Sequence, residues 1–369
     1  MHIGIPREVR DGEARVGMTP LGVRQLVGMG HQVFVERGAG ERSGFADSAY
    51  TDAGADLVYS PEEVYWRADL VIKVVRPTEA EFDLLREDST LLAFLQLASA
   101  RRRKIETLLR KRVTAIAYET IETDDGDLPV IHSMSQVGGR MTPGLAARFL
   151  EIGNGGNGVL LSGVPGVPPA EVVVLGAGMF GQETALAFAR AGASVYVLDR
   201  QIGHLIRTEQ RCSGHRVTTM LSTPETIAKA IRFADVVVTA ASTPGQRAPI
   251  LITEQMVRDM RPRSLIMDVS ITQGGCVETS QPTTHRDPIF TYADVMHYCV
   301  PNIPAAVART ATHALVASAW PIVEEVVARG PEIAIASNRM IARGTWTHRG
   351  EMLQQVVDPQ EPYSREYHG

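Results

Sequence analysis

The sequence predicts an α/β protein built as two Rossmann-like, doubly wound parallel-sheet units. Three observations carry this expectation. Apolar runs of strand length alternate with amphipathic stretches through the first 120 residues. The alternation resumes beyond a polar, glycine-rich passage, and there a Gly-x-Gly-x-x-Gly turn, Gly176 to Gly181, sits between an apolar run and a helix pattern. Strands separated by helices at this pitch pair in parallel, with helices on both faces.

The bulk numbers bound the answer. A chain of 369 residues is long enough for two ordinary domains with a core in each. Hydrophobic content of 44% and charged content of 21% are those of a soluble globular protein. The formal net charge of −5 leaves no footprint for nucleic acid or for an anionic membrane surface. No apolar run approaches the roughly 20 residues that a membrane helix needs, and the amino terminus turns charged too early for a secretory signal. Cys212, Cys276 and Cys299 show neither CxxC nor CxxH spacing, so no disulfide framework and no metal site is expected, and free thiols fit a cytoplasmic location.

In the first unit, His2–Pro6 and His31–Glu36 read as strands, with a helix between them from Pro20 to about Met29 that Gly30 stops. Ala68–Val75, Thr90–Leu97 and Val113–Glu119 are further strand-length runs. Between the last two, Ile105, Leu108 and Leu109 fall at helical spacing, and Arg101–Lys104 reads as a solvated helix face. Glu122–Pro143 reads as a polar linker, followed by an amphipathic helix over Thr142–Ile152 and a glycine-rich passage to Glu171. Glu171–Arg200 then reads as strand, turn, helix and strand. Ala234–Ala241, Ser264–Ser270 and Pro288–Val295 continue the parallel pattern. Thr310–Arg329 is a long helix, apolar nearly throughout, expected to return to the first unit. The polar tail from Pro359 is expected to be poorly ordered.

The glycine turn is the strongest motif. Alone such a triplet is weak, but here it follows a strand, opens a helix and precedes a second strand ending in Asp199, which is the context a dinucleotide fingerprint requires. Gly176 permits the tight turn, Gly178 lets the backbone approach a pyrophosphate, and Gly181 lets helix and strand pack closely. The helix amino terminus offers amide donors and a positive dipole end. Asp199 is placed to accept from ribose hydroxyls and repels a 2′-phosphate, so NAD is expected over NADP; Arg200 weakens that preference without reversing it. A quite different passage is Asp268–His285, which leaves an apolar run as a Gly-, Thr- and Ser-rich loop. Loops leaving parallel strands usually carry the chemistry of such folds, yet Ser270, Thr272 and Gln273 do not titrate near neutral pH.

With these segments in view, the chain resembles the alanine dehydrogenase family, which includes the NAD-binding subunit of nicotinamide nucleotide transhydrogenase. The resemblance rests on Ile3–Asp47, Gly158–Gly181, Ser270–His285 and His297–Leu315, long co-linear stretches that run over nearly the whole chain. It implies a substrate domain made of residues 1–130 and 306–369, an inserted NAD domain of residues 131–305, a cleft between them, and a homo-oligomer, hexamer or dimer. It also implies oxidative deamination of a small amino acid, or the reverse.

Such chemistry demands a cation for the substrate carboxylate, a proton donor and acceptor, and a polar group that places water or ammonia. The resemblance puts the carboxylate-binding arginine at Arg15, which is kept. The family's catalytic lysine falls on Val75, its histidine on Gln96 and its aspartate on Thr272; its neighbouring glutamates fall on Arg76 and Gln136. Lys73, Met134 and Asn302 complete the expected substrate side, with Lys73 and Arg76 as further carboxylate holders. The expected cofactor side comprises Ser135, Gly176, Gly178, Met179, Phe180 and Gly181, then Asp199, Arg200, His204 and Ser222. Ala241, Ser242, Val269, Thr272 and Asn302 extend it.

Val, Gln and Thr shuttle no proton at pH 7, so ordinary alanine dehydrogenase activity is expected to be weak or absent. The expectation is an NAD-dependent oxidoreductase for a small-molecule amino, imino or oxo acid other than alanine, with Gln96 and Thr272 hydrogen-bonding it. His132 and His313 are candidate replacement acid/bases, although packed or surface roles are commoner for single histidines. The alternative is an NAD-binding relative without dehydrogenase activity: a non-redox enzyme, lyase-like, or a regulator. Cys276 and Glu278 are expected to be structural.

Overall fold

The computed structural model describes residues 1–97, 102–241 and 247–354, and the chain divides into two compact units. The first holds Met1–Met134 and the described chain from Ala305; the second holds Ser135–Pro304. The polar tail lies outside the described residues.

The first unit opens with β1 (His2–Ile5), α1 (Pro20–Gly28), β2 (Gln32–Glu36), α2 (Asp47–Thr51) and β3 (Asp56–Val58). It continues with α3 (Pro61–Arg67), β4 (Leu70–Val75), α4 (Glu79–Leu84), β5 (Thr90–Phe94), α5 (Arg102–Arg110) and β6 (Thr114–Ala117). Helix α6 (Pro129–Leu150) carries the unit boundary. The second unit follows with β7 (Glu171–Leu175), α7 (Met179–Arg190), β8 (Ser194–Asp199), α8 (Ile202–Arg211), β9 (Val217–Leu221) and α9 (Pro224–Phe233). Then come β10 (Val236–Thr239), α10 (Glu254–Arg258), β11 (Leu265–Asp268), β12 (Ile289–Tyr292) and β13 (Val295–Tyr298). The chain returns to the first unit through α11 (Ala308–Arg329), α12 (Pro331–Ser337), α13 (Arg339–Gly344), β14 (Thr345–His348) and β15 (Glu351–Met352).

The first sheet has the order β15-β14-β6-β5-β4-β1-β2-β3, and β1 to β6 are parallel. The chain reverses its direction of travel across the sheet between β1 and β4. The second sheet, β12-β13-β11-β10-β7-β8-β9, reverses between β7 and β10. In open α/β sheets, ligands gather outside the carboxyl ends of strands at such switch points.

Both sheets are covered on both faces, which is why their strands are apolar without alternation. Ile72 and Val74 of β4 face a cluster that includes Leu315, Ile322 and Val326 of α11, while Val71 faces Tyr65, Phe82, Leu108 and Trp346. In β7, Val172 and Val174 join one core and Val173 and Leu175 the other. Helix starts follow their caps: Thr19 before Pro20 in α1, and a Thr78–Glu81 capping box in α4.

Three expectations need correction. The stretch read as a linker is helical from Pro129 onward, where α6 begins. Its glycines are a packing device: a Cβ at Gly138 would lie 2.7 Å from the Phe180 ring, and one at Gly139 2.7 Å from Glu183 Cβ. Pro143 deprives the Gly139 carbonyl of its helical donor, and the Thr142 hydroxyl replaces it at 2.7 Å. Second, β12 is antiparallel to β13. Ala293 and Asp294, at φ 49° and 60°, form a two-residue hairpin turn without the usual Asn-Gly signal. Third, β14 and β15 add an antiparallel edge to the first sheet. No helix among the described residues is long and apolar enough to cross a membrane.

Candidate functional site

In the second unit, the glycine turn connects β7 to α7 at the switch point. Gly176 has φ 103°, and a Cβ there would meet the Ala240 carbonyl at 2.7 Å. A Cβ at Gly181 would sit 1.9 Å from the Gly176 carbonyl. Gly178 is different: no atom lies within 4 Å of where its Cβ would be, and as N-cap of α7 it places no side chain over the first-turn amides. The turn therefore leaves an open approach to free helix-end donors, which fits a pyrophosphate. Asp199, at the end of β8, is half-buried; its Oδ2 accepts from the Ala177 amide and its Oδ1 from the Gln201 amide, both at 2.7 Å. His204 Nδ1 stands 3.3 Å from the same Oδ2. These bonds hold the carboxylate at the rim of the turn with lone pairs left for ribose hydroxyls. Arg200 is exposed beside it. The residues present fit an NAD-type dinucleotide.

Around this turn, Met179, Phe180, Ser222, Ala241 and Val269 are half-buried. Ser222 donates its amide to the Asp199 carbonyl at 3.0 Å, and Val269 donates to Thr239 at 3.3 Å. Ala241 O accepts from Ser270 Oγ at 2.9 Å and from Cys276 Sγ at 3.3 Å. Ser242 lies outside the described residues. Ser135 and Asn302 are half-buried, and Asn302 adopts a left-handed φ of 59°.

The loop after β11 is organised by buried Asp268. Its Oδ1 accepts from Thr239 Oγ1 at 2.7 Å, and its Oδ2 from the amides of Cys276 and Val277 at 3.0 and 3.3 Å. Burial nevertheless raises its pKa above the ordinary carboxylate value. Gly275 is required here, with φ 77° and Asp268 Oδ2 2.7 Å from its Cβ position. Thr272 sits exposed on the short turn Ile271–Gln273. Cys276 is buried, and burial pushes its thiol up to about 12, which keeps it from being a nucleophile.

In the first unit, the expected residues occupy the carboxyl ends of β1, β4 and β5. Arg15, on the loop after β1, is buried; Nε and Nη2 donate to Glu13 Oε1 and Oε2, each at 2.7 Å, and Nη1 reaches Met134 Sδ at 3.2 Å. Half-buried Val75 ends β4, beyond an irregularity in the β4–β5 register, and packs on the core cluster containing Ile72 and Val74. Gln96 follows β5, exposed and at a left-handed φ of 47°. The Glu119 carboxylate holds that backbone by accepting the amides of Leu95, at 3.0 Å, and Gln96. Arg76 donates from Nη1 to the Gln96 carbonyl at 3.1 Å.

Lys73 is a correction. Rather than presenting a cation to substrate, its fully buried ammonium lies 3.2 Å from Glu8 and 2.7 Å from Glu81. Tyr65 completes the group by donating to Glu81 at 3.0 Å. Burial pulls the lysine pKa down, but the two carboxylates outweigh it and raise it. The acids split: burial leaves Glu8 raised, whereas Lys73 overcomes burial at Glu81 and lowers it. The candidate replacement bases each have a structural partner: His132 Nδ1 meets Asp127 at 2.6 Å, and exposed His313 meets the Phe45 ring edge-on at 5.3 Å. Sequence reasoning missed Glu8, Glu81 and Glu119. An acid three residues after Thr78 was a legible capping signal; the others are brought in only by the sheet. Among the described residues, no group of three or more His, Cys, Asp or Glu could hold a metal.

Fold and turn define the class, an α/β protein of two doubly wound units with a dinucleotide-binding turn in the second. Comparison with known proteins makes it specific. The description "Alanine dehydrogenase/PNT, N-terminal domain" matches residues 4–138, and "Alanine dehydrogenase/PNT, C-terminal domain" matches residues 143–355. The chain is 42% identical over 357 residues to the alanine dehydrogenase of Mycolicibacterium smegmatis, covering 97% of this chain and 96% of that protein. A solved L-alanine dehydrogenase structure matches at 42% identity with a TM-score of 0.90, over 96% of this chain and 99% of that one. A transhydrogenase from Sinorhizobium meliloti shares the fold at 22% identity, with a TM-score of 0.82 over 95% of this chain and 100% of that one. The chain belongs to the alanine dehydrogenase/PNT family.

Proposed function

We propose that the protein is an NAD-dependent oxidoreductase acting at the CH–NH2 or C=N group of an amino, imino or oxo acid other than alanine. The observation that carries this reading is the occupancy of three positions by Val75, Gln96 and Thr272. When bound, the nicotinamide supplies the hydride chemistry. The second unit would hold it through the Gly176–Gly181 turn and Asp199, and the first unit would hold the acid through Arg15, whose Nη1 otherwise reaches only Met134 Sδ. Gln96 and Thr272 are both exposed, and each carries a side chain that can hydrogen-bond a substrate but not exchange a proton with it. A substrate that arrives as an imine, or that carries its own basic group, needs less proton transfer from the protein.

A second reading, ordinary alanine dehydrogenase, is favoured by 42% identity over nearly the full length to a protein of that name. The experiment is a screen of oxo acids with ammonia or amines, at saturating NADH, following loss of reduced-cofactor absorbance. One lost acid/base typically costs about 10²–10⁴ in rate, so pyruvate with ammonia should be at least ~10²-fold slower than the best substrate. Robust alanine–pyruvate turnover would decide for the second reading. Tight NADH binding without turnover on any acid would instead point to a non-redox relative.

A further inference from the structure

The carboxyl ends of the first sheet hold cations of two kinds. Arg15 is paired with Glu13 through Nε and Nη2, its Nη1 reaching only the weak acceptor Met134 Sδ, and Lys73 is neutralised by Glu8 and Glu81. Arg10 and Arg76 are not. Arg10, on the loop after β1, donates from Nε to the Arg76 carbonyl at 3.0 Å and from Nη2 to the Pro77 carbonyl at 3.3 Å. Arg76, at the end of β4, donates from Nη1 to the Gln96 carbonyl at 3.1 Å. All of these acceptors are neutral, and among the described residues neither guanidinium makes an ion pair within 4.0 Å. The Arg76 Nε is buried with no acceptor at all. Glu119 favours the Arg76 cation from outside ion-pair range, while its oxygens accept the amides of Leu95 and Gln96. Burial first, and then Arg10, pull the Arg76 pKa down to about 10, so at neutral pH two charged guanidiniums repel each other across this edge.

A half-buried cation with an unmet donor and a like-charged neighbour is stabilised by an anion that takes both forks. We propose that Arg10 and Arg76 form a subsite for the second carboxylate of a dicarboxylic amino or oxo acid, whose first carboxylate is held at Arg15. The inference rests on the oxidoreductase reading above, and it narrows the substrate class of that same site. The subsite lies at the β1–β4 switch point, next to Gln96. A free oxyanion such as phosphate has the same chemistry, and the test separates the two sources.

With NADH-saturated protein and ammonia, kcat and KM are measured for 2-oxoglutarate and its monocarboxylate counterpart 2-oxopentanoate, in wild type, Arg76→Met and Arg76→Lys. A hydrogen bond to a charged group corresponds to about 10–100-fold in affinity. The diacid should therefore be preferred by at least ~10-fold in kcat/KM. In Arg76→Met its KM should rise ~10–100-fold while the monoacid's KM stays put, and Arg76→Lys should lose less. Equal use of both acids overturns the subsite and leaves the oxidoreductase reading standing. If no oxo acid turns over, that reading falls, and calorimetry with succinate against butyrate decides the subsite: Arg76-dependent preference for succinate keeps it, and none overturns it. Phosphate competing with the diacid agrees with one shared subsite. Phosphate binding that depends on Arg76 yet leaves the diacid KM unchanged marks a separate anion site and overturns the substrate assignment.

Discussion

The turn after β7 and the strand ends of the first unit both lie at switch points, and they are constrained in opposite ways. In the turn, Gly176 and Gly181 are required by the fold, since a Cβ at either would strike backbone at 2.7 or 1.9 Å. Gly178 has open space around its Cβ position, so the fold would accept a side chain there and a close-approaching ligand would not. At the end of β5 the fold fixes the main chain: Gln96 is held at φ 47° by Glu119, while its side chain is exposed. The polar groups this unit needs for itself lie underneath, in the Lys73–Glu8–Glu81 cluster. Identity at a cofactor turn is dictated by geometry and a common ligand, whereas on the reading proposed above identity at the strand ends of the first unit follows the substrate.

The largest expected effect breaks this comparison or makes it. Val75→Lys, Gln96→His and Thr272→Asp, made together, restore three ionisable groups at the positions where the resemblance places them. One acid/base alone contributes about 10²–10⁴, so the triple variant should gain at least ~10²-fold in alanine–pyruvate turnover over wild type. A folded triple variant that binds NADH but gains nothing would mean these positions do not face the reacting atoms.

The next effect sharpens it. Lys73→Met leaves Glu8 and Glu81 buried without their cation, and breaking a buried pair costs about 3–5 kcal/mol. Urea denaturation at neutral pH should show that loss of stability. If stability held while KM for every acid rose, Lys73 would belong to the substrate after all, and the division between a structural layer and a free edge would fail.

Much of this was legible in the sequence for a physical reason. The glycine turn is local: strand, turn, helix and carboxylate fall within 29 residues, Glu171 to Asp199, so spacing alone carries the geometry. Strands buried on both faces also read clearly, because their apolar runs need no alternation. The first-unit site is assembled from the ends of separate strands, and nothing in the spacing of Glu8, Lys73 and Glu81 announces that they meet. Lys73 therefore read as a substrate group when it is a buried counter-ion. The start of α6 read as a polar linker for a similar reason: the close packing of Gly138 and Gly139 on α7 joins residues distant in sequence.

The smallest expected effect concerns what the second unit buries. In β13, His297 is buried as a neutral ring, its Nδ1–H donating to the Val295 carbonyl at 3.0 Å and its Nε2 accepting from Thr279 Oγ1 at 2.8 Å. Burial lowers its pKa below the ordinary 6.5, so in the acid range the unfolded chain binds this proton more readily than the folded one. Stability then rises with pH: the contribution is whole above about 6.5 and is lost as pH falls from there toward the lower folded value, by at most ~1.4 kcal/mol per pH unit. His31 and His348 are also lowered by burial and add slope of the same sign, whereas Asp268, raised by burial, works the other way. Comparing wild type with His297→Gln cancels those common terms. Denaturation curves between pH 7 and pH 5 should show the wild type losing stability more steeply than the variant. Parallel pH profiles would mean that the buried ring takes up its proton without cost.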